Sequence, residues 1–223
     1  MKDLTGFFSS VLVTLITLLP IVNPVSTAIL LLGISEHLSK EDRNRQITLS
    51  CFYMTGILVV FLLGGHLIMI FFGISVPGIR IAGGMVIGFL GFRMLFPSEE
   101  HITQKGKEEA LQKSDISFSP LAMPSLAGPG AIATVITISS AIDSRHGYDK
   151  VFAFAGVVIA ILITAIISWL VLRSAGFIRR ILGVNGVDSL SRIMGFILVC
   201  IGIQFVINGI KDLALDAGFW QKL

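Results

Sequence analysis

Charge is scarce in this sequence. Only 14% of its 223 residues are Asp, Glu, Lys or Arg, while 54% are hydrophobic and the mean hydropathy is +0.88. A soluble domain carries about 25% charged residues, so a water-soluble fold is excluded and an integral membrane protein is expected. All 14 acidic residues lie outside the centres of the long apolar runs, which excludes a carboxylate relay or a carboxylate-lined cation site at membrane depth. Cysteine is nearly absent: Cys51 and Cys200 sit in apolar runs and read as small hydrophobes, not as a disulfide. No P-loop is present, since Gly128-Pro129-Gly130 has no lysine after it. No zinc-ligand spacing and no nucleophile–base pair stand out, so neither an ATPase nor another enzyme is expected, and no cofactor or metal. The formal charge of +3 is small and its cations lie in short loops, which argues for membrane topology and against a nucleic-acid partner.

What is there is a series of apolar runs. A helix needs roughly 20 apolar residues to cross a hydrocarbon core of about 30 Å. Six runs qualify, at about 4–33, 46–72, 77–96, 120–142, 150–173 and 190–210. The first continues far past a signal-peptide core and lacks a small-residue cleavage site, so it reads as a span. The only long polar stretch, 97–119, divides the chain into two halves of three spans, 1–96 and 120–223. Eleven Lys and Arg fall on the side of the first, third and fifth loops, and six on the side of the termini. The richer side is expected to be cytoplasmic, which puts both termini in the periplasm if this is a bacterial inner-membrane protein.

An odd number of spans per half makes the second half enter the membrane from the opposite face. The halves also resemble each other. Gly84-x6-Gly91 in the third run recurs as Gly195-x6-Gly202 in the sixth, 111 residues on. The first run is interrupted at Asn23-Pro24 and the fourth at Gly128-Pro129-Gly130, with Pro129 following Pro24 by 105 residues. Glycines are common in membrane helices, and one match could be accidental. Two corresponding interrupted helices point instead to an inverted-repeat transporter with its site at the interruptions. The expected fold is therefore all-α and integral to the membrane: six spans as two inverted three-span repeats, with broken first and fourth helices.

Length and local chemistry both favour real interruptions. The uncharged run from Leu4 to Ser35 holds 32 residues, roughly 48 Å as one straight helix. Pro24 suits the first position of a new helix, and Asn23 can cap it. Ser26 and Thr27 place hydroxyls in that first turn. Gly128 and Gly130 flank Pro129 and permit close backbone approach; Thr134 adds a hydroxyl one turn on. Two helix N-termini meeting near the midplane would direct free N–H groups and positive dipole ends at an anion such as a carboxylate. The alternative is a pair of proline kinks satisfied by neighbouring helices.

A few other polar side chains lie in or near the spans. His66 is the one ionisable side chain well inside the second run; it could carry a proton or simply bond a neighbour. Arg80 and Arg192 either anchor at the interface or meet an anionic group. Gln204 and Asn208 stand at i and i+4, hence on one face, where they line a cavity or bond across helices. The small residues Gly84, Gly88 and Gly91 permit close contact within one chain or between copies in a homo-oligomer.

The stretches "LLPIVNPVSTAILLLGIS", "GISVPGIRIAGGMVIGFLGFRMLFP", "PLAMPSLAGPGAIATVI" and "SRIMGFILVCIGIQFVINGI" together resemble the MarC family of bacterial inner-membrane proteins, over almost the whole chain. The resemblance implies a six-span architecture related to the LysE-type transporters, a bacterial inner-membrane location, and cargo in the class of small neutral amino acids. It carries over to Asn23-Pro24 and Gly128-Pro129-Gly130 as motif positions. The expectation is a secondary transporter, or exporter, of small carboxylate-bearing solutes, with the bilayer and a small-molecule cargo as partners. Coupling to H+ through His66 or to Na+ through backbone carbonyls stays open. The rival expectations are a non-transporting scaffold or envelope-stress protein, and a lipid-handling protein that grips head groups with Arg80 and Arg192.

Overall fold

The computed structural model describes residues 2–35, 37–96, 115–143 and 148–215, and every regular element among the described residues is helical. α1 (Lys2–Val22) and α2 (Pro24–Ile34) are separated by the single residue Asn23, and α3 (Lys40–Phe72) and α4 (Val76–Leu95) follow. An irregular segment, Ser117–Leu126, precedes α5 (Pro129–Asp143), α6 (Tyr148–Arg173) and α7 (Ala175–Leu215).

The helix ends follow from local sequence. Ser39 opens α3 by accepting a hydrogen bond from Asp42 N at 3.0 Å, and Glu41 and Asp42 put negative charge at its N-terminus. Gly73 closes it at φ 64°, a left-handed conformation that suits glycine. Ser75 then accepts from Gly78 N at 3.2 Å to open α4, with Pro77 in its first turn.

Five helices are long and apolar enough to cross a membrane, and Ser117–Leu126 with Pro129–Ile142, bent by 60°, makes a sixth if the pair is one span. The expected first span is a 29-residue run, Gly6–Ile34, that contains the interruption. Pro20 is accommodated inside α1, so only Pro24 begins a new helix. The fourth span differs from expectation, because its first half is not regular α-helix. Ser119 and Met123 hold extended dihedrals, as residues before proline tend to. Wide i to i+5 bonds close the turns instead: Leu121 N to Ile116 O at 3.3 Å and Ala127 N to Ala122 O at 2.8 Å. The sixth also differs at its start. α7 begins at Ala175 and breaks at Gly183, and the apolar stretch proper is Asn185–Leu215.

Most of the polar stretch, residues 97–114, lies outside the described residues. Its end is tied to α3: Ile116 N donates to Gln46 Oε1 at 3.1 Å. Asp115 Oδ1 accepts from Ser117 Oγ at 2.6 Å and Ser117 N at 2.9 Å, and these bonds, helped by Arg45, hold the Asp115 carboxyl below its ordinary pKa.

α4 lies along α7 in the most extensive helix contact. α1 and α2 pack on α6; α3 packs on the irregular segment, on α5 and on α6; α5 also meets α4 and α1, while α2 meets α7 and the irregular segment. Leu18, Val22, Leu31, Leu58, Ile87 and Leu126 are fully buried in one cluster around the interruptions. The outer faces are equally apolar. α3 buries Met54, Leu58 and Leu62 but exposes Val60, Leu63 and Leu67. A helix that is hydrophobic all round, with one face bare of protein, is built for lipid.

Candidate functional site

Asn23 is the residue on which the first interruption turns. Its backbone is left-handed, φ 46° and ψ 64°, the only positive φ at a non-glycine residue among those described. Asparagine tolerates this conformation better than most side chains. Its Oδ1 accepts from Ser26 N at 3.3 Å, which caps α2, and Thr27 Oγ1 donates to Asn23 O at 3.4 Å. The amide nitrogen Nδ2 donates to Ser26 Oγ at 3.0 Å and to Met94 Sδ at 3.2 Å. A thioether is a weak acceptor. The buried amide therefore holds one good bond and one poor one, and a better acceptor could displace the sulfur.

The second interruption is made by absence of side chains. A Cβ at Gly128 would lie 2.6 Å from Pro124 O, and one at Gly130 would lie 2.7 Å from Ile87 Cγ1 and 3.4 Å from Ile21 Cγ2. Gly128 brings no side chain to cap α5, whereas Asn23 caps α2. Thr134 is fully buried and its hydroxyl donates to Gly130 O at 2.8 Å, so it is engaged within its own helix. Because Gly130 abuts Ile21, two residues before Asn23, the interruptions lie about one side chain apart. Asn23, Pro24, Ser26 and Thr27 thus form one cluster, which the second interruption approaches through Gly130 against Ile21. Gly128, Pro129 and Thr134 flank Gly130 along the chain, and α2 and α5 themselves make little direct contact.

The remaining sequence candidates are elsewhere. His66 is half-buried on α3; at its neighbour Gly65 a Cβ would lie 2.8 Å from Ile136 Cγ1 of α5. Ile136 is six residues past Gly130, about 9 Å along the helix axis. Arg80 at the start of α4 forms an ion pair with Asp212 near the end of α7. Arg192 pairs with Asp188 on its own helix at 3.0 Å. Gln204 Nε2 donates to Asn208 Oδ1 at 3.0 Å along α7, on the outer side of that helix. These two bond each other and do not reach a neighbouring helix. Met94 and Asp212 are the residues that sequence reasoning missed. A methionine in an apolar run carries no polar signal, and Asp212 finds Arg80 only through the antiparallel pairing of α4 with α7.

The two ion pairs should differ in strength. The Arg80 and Asp212 side chains are 24% and 37% exposed, against 50% and 52% for Arg192 and Asp188. In a double-mutant cycle with Arg80→Gln and Asp212→Asn, unfolding in detergent is expected to show coupling near the upper end for exposed pairs, about 1 kcal/mol. The same cycle on Arg192 and Asp188 should give about 0.3–0.5 kcal/mol, as for other pairs one turn apart on a helix.

The model of the MarC family, described as integral membrane proteins, matches residues 8–214. The inner membrane protein MarC of Citrobacter koseri is 44% identical, with 92% of this chain and 96% of that protein covered. Those of Escherichia coli O1:K1 and Shigella flexneri are 44% and 43% identical over the same shares. No solved structure matches the chain.

Proposed function

The chain belongs to the MarC family of integral membrane proteins, and from that premise we propose that it is a secondary transporter and not an enzyme. In this reading it sits in the bacterial inner membrane with both termini periplasmic. It transports, or exports, a small carboxylate-bearing solute, such as a small neutral amino acid. The observation that carries the reading is the adjacency of the interruptions. Two helices, α2 and α5, each open on a proline, and a Cβ at Gly130 would come within 3.4 Å of Ile21 at the end of α1.

The cargo carboxylate is assigned to the opening of α5, where the dipole and first-turn N–H groups favour an anion, and to the positive end of α2, whose Ser26 and Thr27 N–H groups are already bonded to Asn23. The Asn23 amide would exchange its bond to the Met94 sulfur for one to a carboxylate oxygen, a stronger, charge-assisted bond. Elbow carbonyls and the Ser26 and Thr27 hydroxyls would receive the ammonium. Coupling to H+ through His66 or to Na+ at the elbow carbonyls belongs to the same proposal.

The proposed inverted repeat is supported by how the helices meet. Exchange α1 with the Ser117–Leu126 segment, α2 with α5, α3 with α6, and α4 with α7. The contact of α1 with α6 then becomes that of the irregular segment with α3, and α2 on α6 becomes α5 on α3. Likewise α4 on α5 becomes α7 on α2. The contacts of α1 with α7, α5 with α6 and α6 with α7 have no such counterpart. Detail follows the same rule at the α4–α7 seam. A Cβ at Gly84 would meet Gly202 O at 2.5 Å, and a Cβ at Gly195 would meet Gly91 O at 2.8 Å. Moving each residue by the 111-residue repeat turns the first contact into the second. Alternating access would be one half rocking against the other.

Uptake into reconstituted vesicles tests the function. Labelled alanine, glycine and serine are supplied with and without imposed H+ or Na+ gradients. The wild type is expected to accumulate at least one of them. Asn23→Gly, which keeps the left-handed backbone but loses the amide, should transport it about tenfold more slowly, the effect of one hydrogen bond to a charged group. No accumulation of any amino acid by the wild type, across a broad panel, would overturn the proposal. The lipid-handling alternative is weakened because Arg80 and Arg192 each already hold a carboxylate.

A further inference from the structure

The connection between α6 and α7 carries a surface that the transport reading does not use. α7 begins with eight residues, 175–182, before Gly183 breaks it at φ 64° and ψ −178°. That conformation is essentially restricted to glycine. With about 100° between successive residues, Phe177, Ile178, Ile181 and Leu182 fall together on one arc of this short helix. Arg179 and Arg180 fall on the opposite arc. The protein covers little of either. Phe177 and Ile181 are each 66% exposed, and both arginines are exposed.

Charge at this rim is unbalanced. Arg192 is engaged by Asp188, but among the described residues no carboxylate pairs with Arg179 or Arg180. Arg173, at the end of α6, stacks its guanidinium 5.0 Å from the Trp169 ring centroid. The Trp169 ring is itself held by a bond from Nε1 to Thr48 Oγ1 at 3.1 Å. A tryptophan fixed at a helix end, beside cations and an amphipathic turn, is the arrangement found at the water–lipid boundary.

We propose that residues 175–182, with Arg173, form a binding site for the head group of an anionic phospholipid. The arc of Phe177, Ile178, Ile181 and Leu182 lies in the acyl boundary. Arg173, Arg179 and Arg180 stand above it and donate to the phosphodiester, for which the planar guanidinium is suited. Charge complementarity selects the occupant. A zwitterionic head group cancels the attraction, whereas an anionic one gains on the order of fivefold in local concentration per cation. The site is independent of the cargo and of the interruptions.

Trp169 is a reporter already in place. The chain has two tryptophans, Trp169 and Trp220, so Trp220→Phe leaves one, next to Arg173. The full chain carrying this change is reconstituted in phosphatidylcholine containing a minor fraction of phosphatidylglycerol. Bromine is placed on the acyl chains of one lipid at a time. Brominated phosphatidylglycerol is expected to quench Trp169 well over fivefold more than its mole fraction predicts, because three cations act together. Arg179→Gln with Arg180→Gln should lower that preference at least fivefold, Arg173 alone sustaining what is left. Quenching that tracks mole fraction before those changes, or a preference that survives them undiminished, overturns the proposal.

Discussion

Asn23→Ala is expected to destabilise the protein by about 2–3 kcal/mol. Asn23→Gly should cost less than about 1 kcal/mol. Two separable contributions underlie the difference. Alanine at φ 46° carries a Cβ into the left-handed region, at roughly 1–2 kcal/mol, and removes the side chain that caps α2, at about 1 kcal/mol. Glycine removes only the cap. The check is unfolding of both variants in detergent. Similar losses for the two would mean that the backbone at this position is not strained, and that α1 and α2 can join as one helix when the amide is gone.

Gly202→Ala should be the most damaging single methyl among the described glycines. The added Cβ would lie 2.5 Å from Gly88 N, 2.6 Å from Gly84 O and 2.8 Å from Gly88 Cα, all backbone atoms that no rotamer change can move. Only separation of α4 from α7 relieves the overlap. Overpacking typically costs 1–3 kcal/mol, and here, with backbone on both sides, about 3 kcal/mol or more is expected. Gly88→Ala makes the contrast. A Cβ there meets nothing within 4 Å, so higher helix propensity should leave it neutral or up to about 1 kcal/mol more stable. Thermal unfolding of the two variants, side by side, decides the matter. Equal midpoints would show that the seam is looser than backbone contact.

Local rules made the interruptions legible in the sequence. Asn23 caps α2 and Pro24 opens it, as the residue types require. Gly128 and Gly130 stand where added side chains would collide. The left-handed backbone of Asn23 was not legible, because asparagine caps helices in extended conformations too. The irregular first half of the fourth span was masked by its apolar composition, although Pro120 and Pro124 had already restricted Ser119 and Met123. The break at Gly183 was missed because the hydropathy signal of the last span starts after it. The glycine spacing in α4 and α7 could be read, but which glycine meets which depends on the helices running antiparallel. Met94 and Asp212 lay beyond reach for a related reason. Each acts through a partner from another part of the chain, Met94 being 71 residues from Asn23 and Asp212 132 from Arg80.

The seam between α4 and α7 also bears on how the polypeptide is made. Gly84 and Gly91 find their counterparts in Gly202 and Gly195, more than a hundred residues later. At a synthesis rate of about 5–20 residues per second, α4 waits on the order of ten seconds for α7. During that interval its small-residue face has only lipid or the insertion apparatus against it. The tightest junction of the fold therefore closes only after most of the chain has been made, when α7 reaches α4.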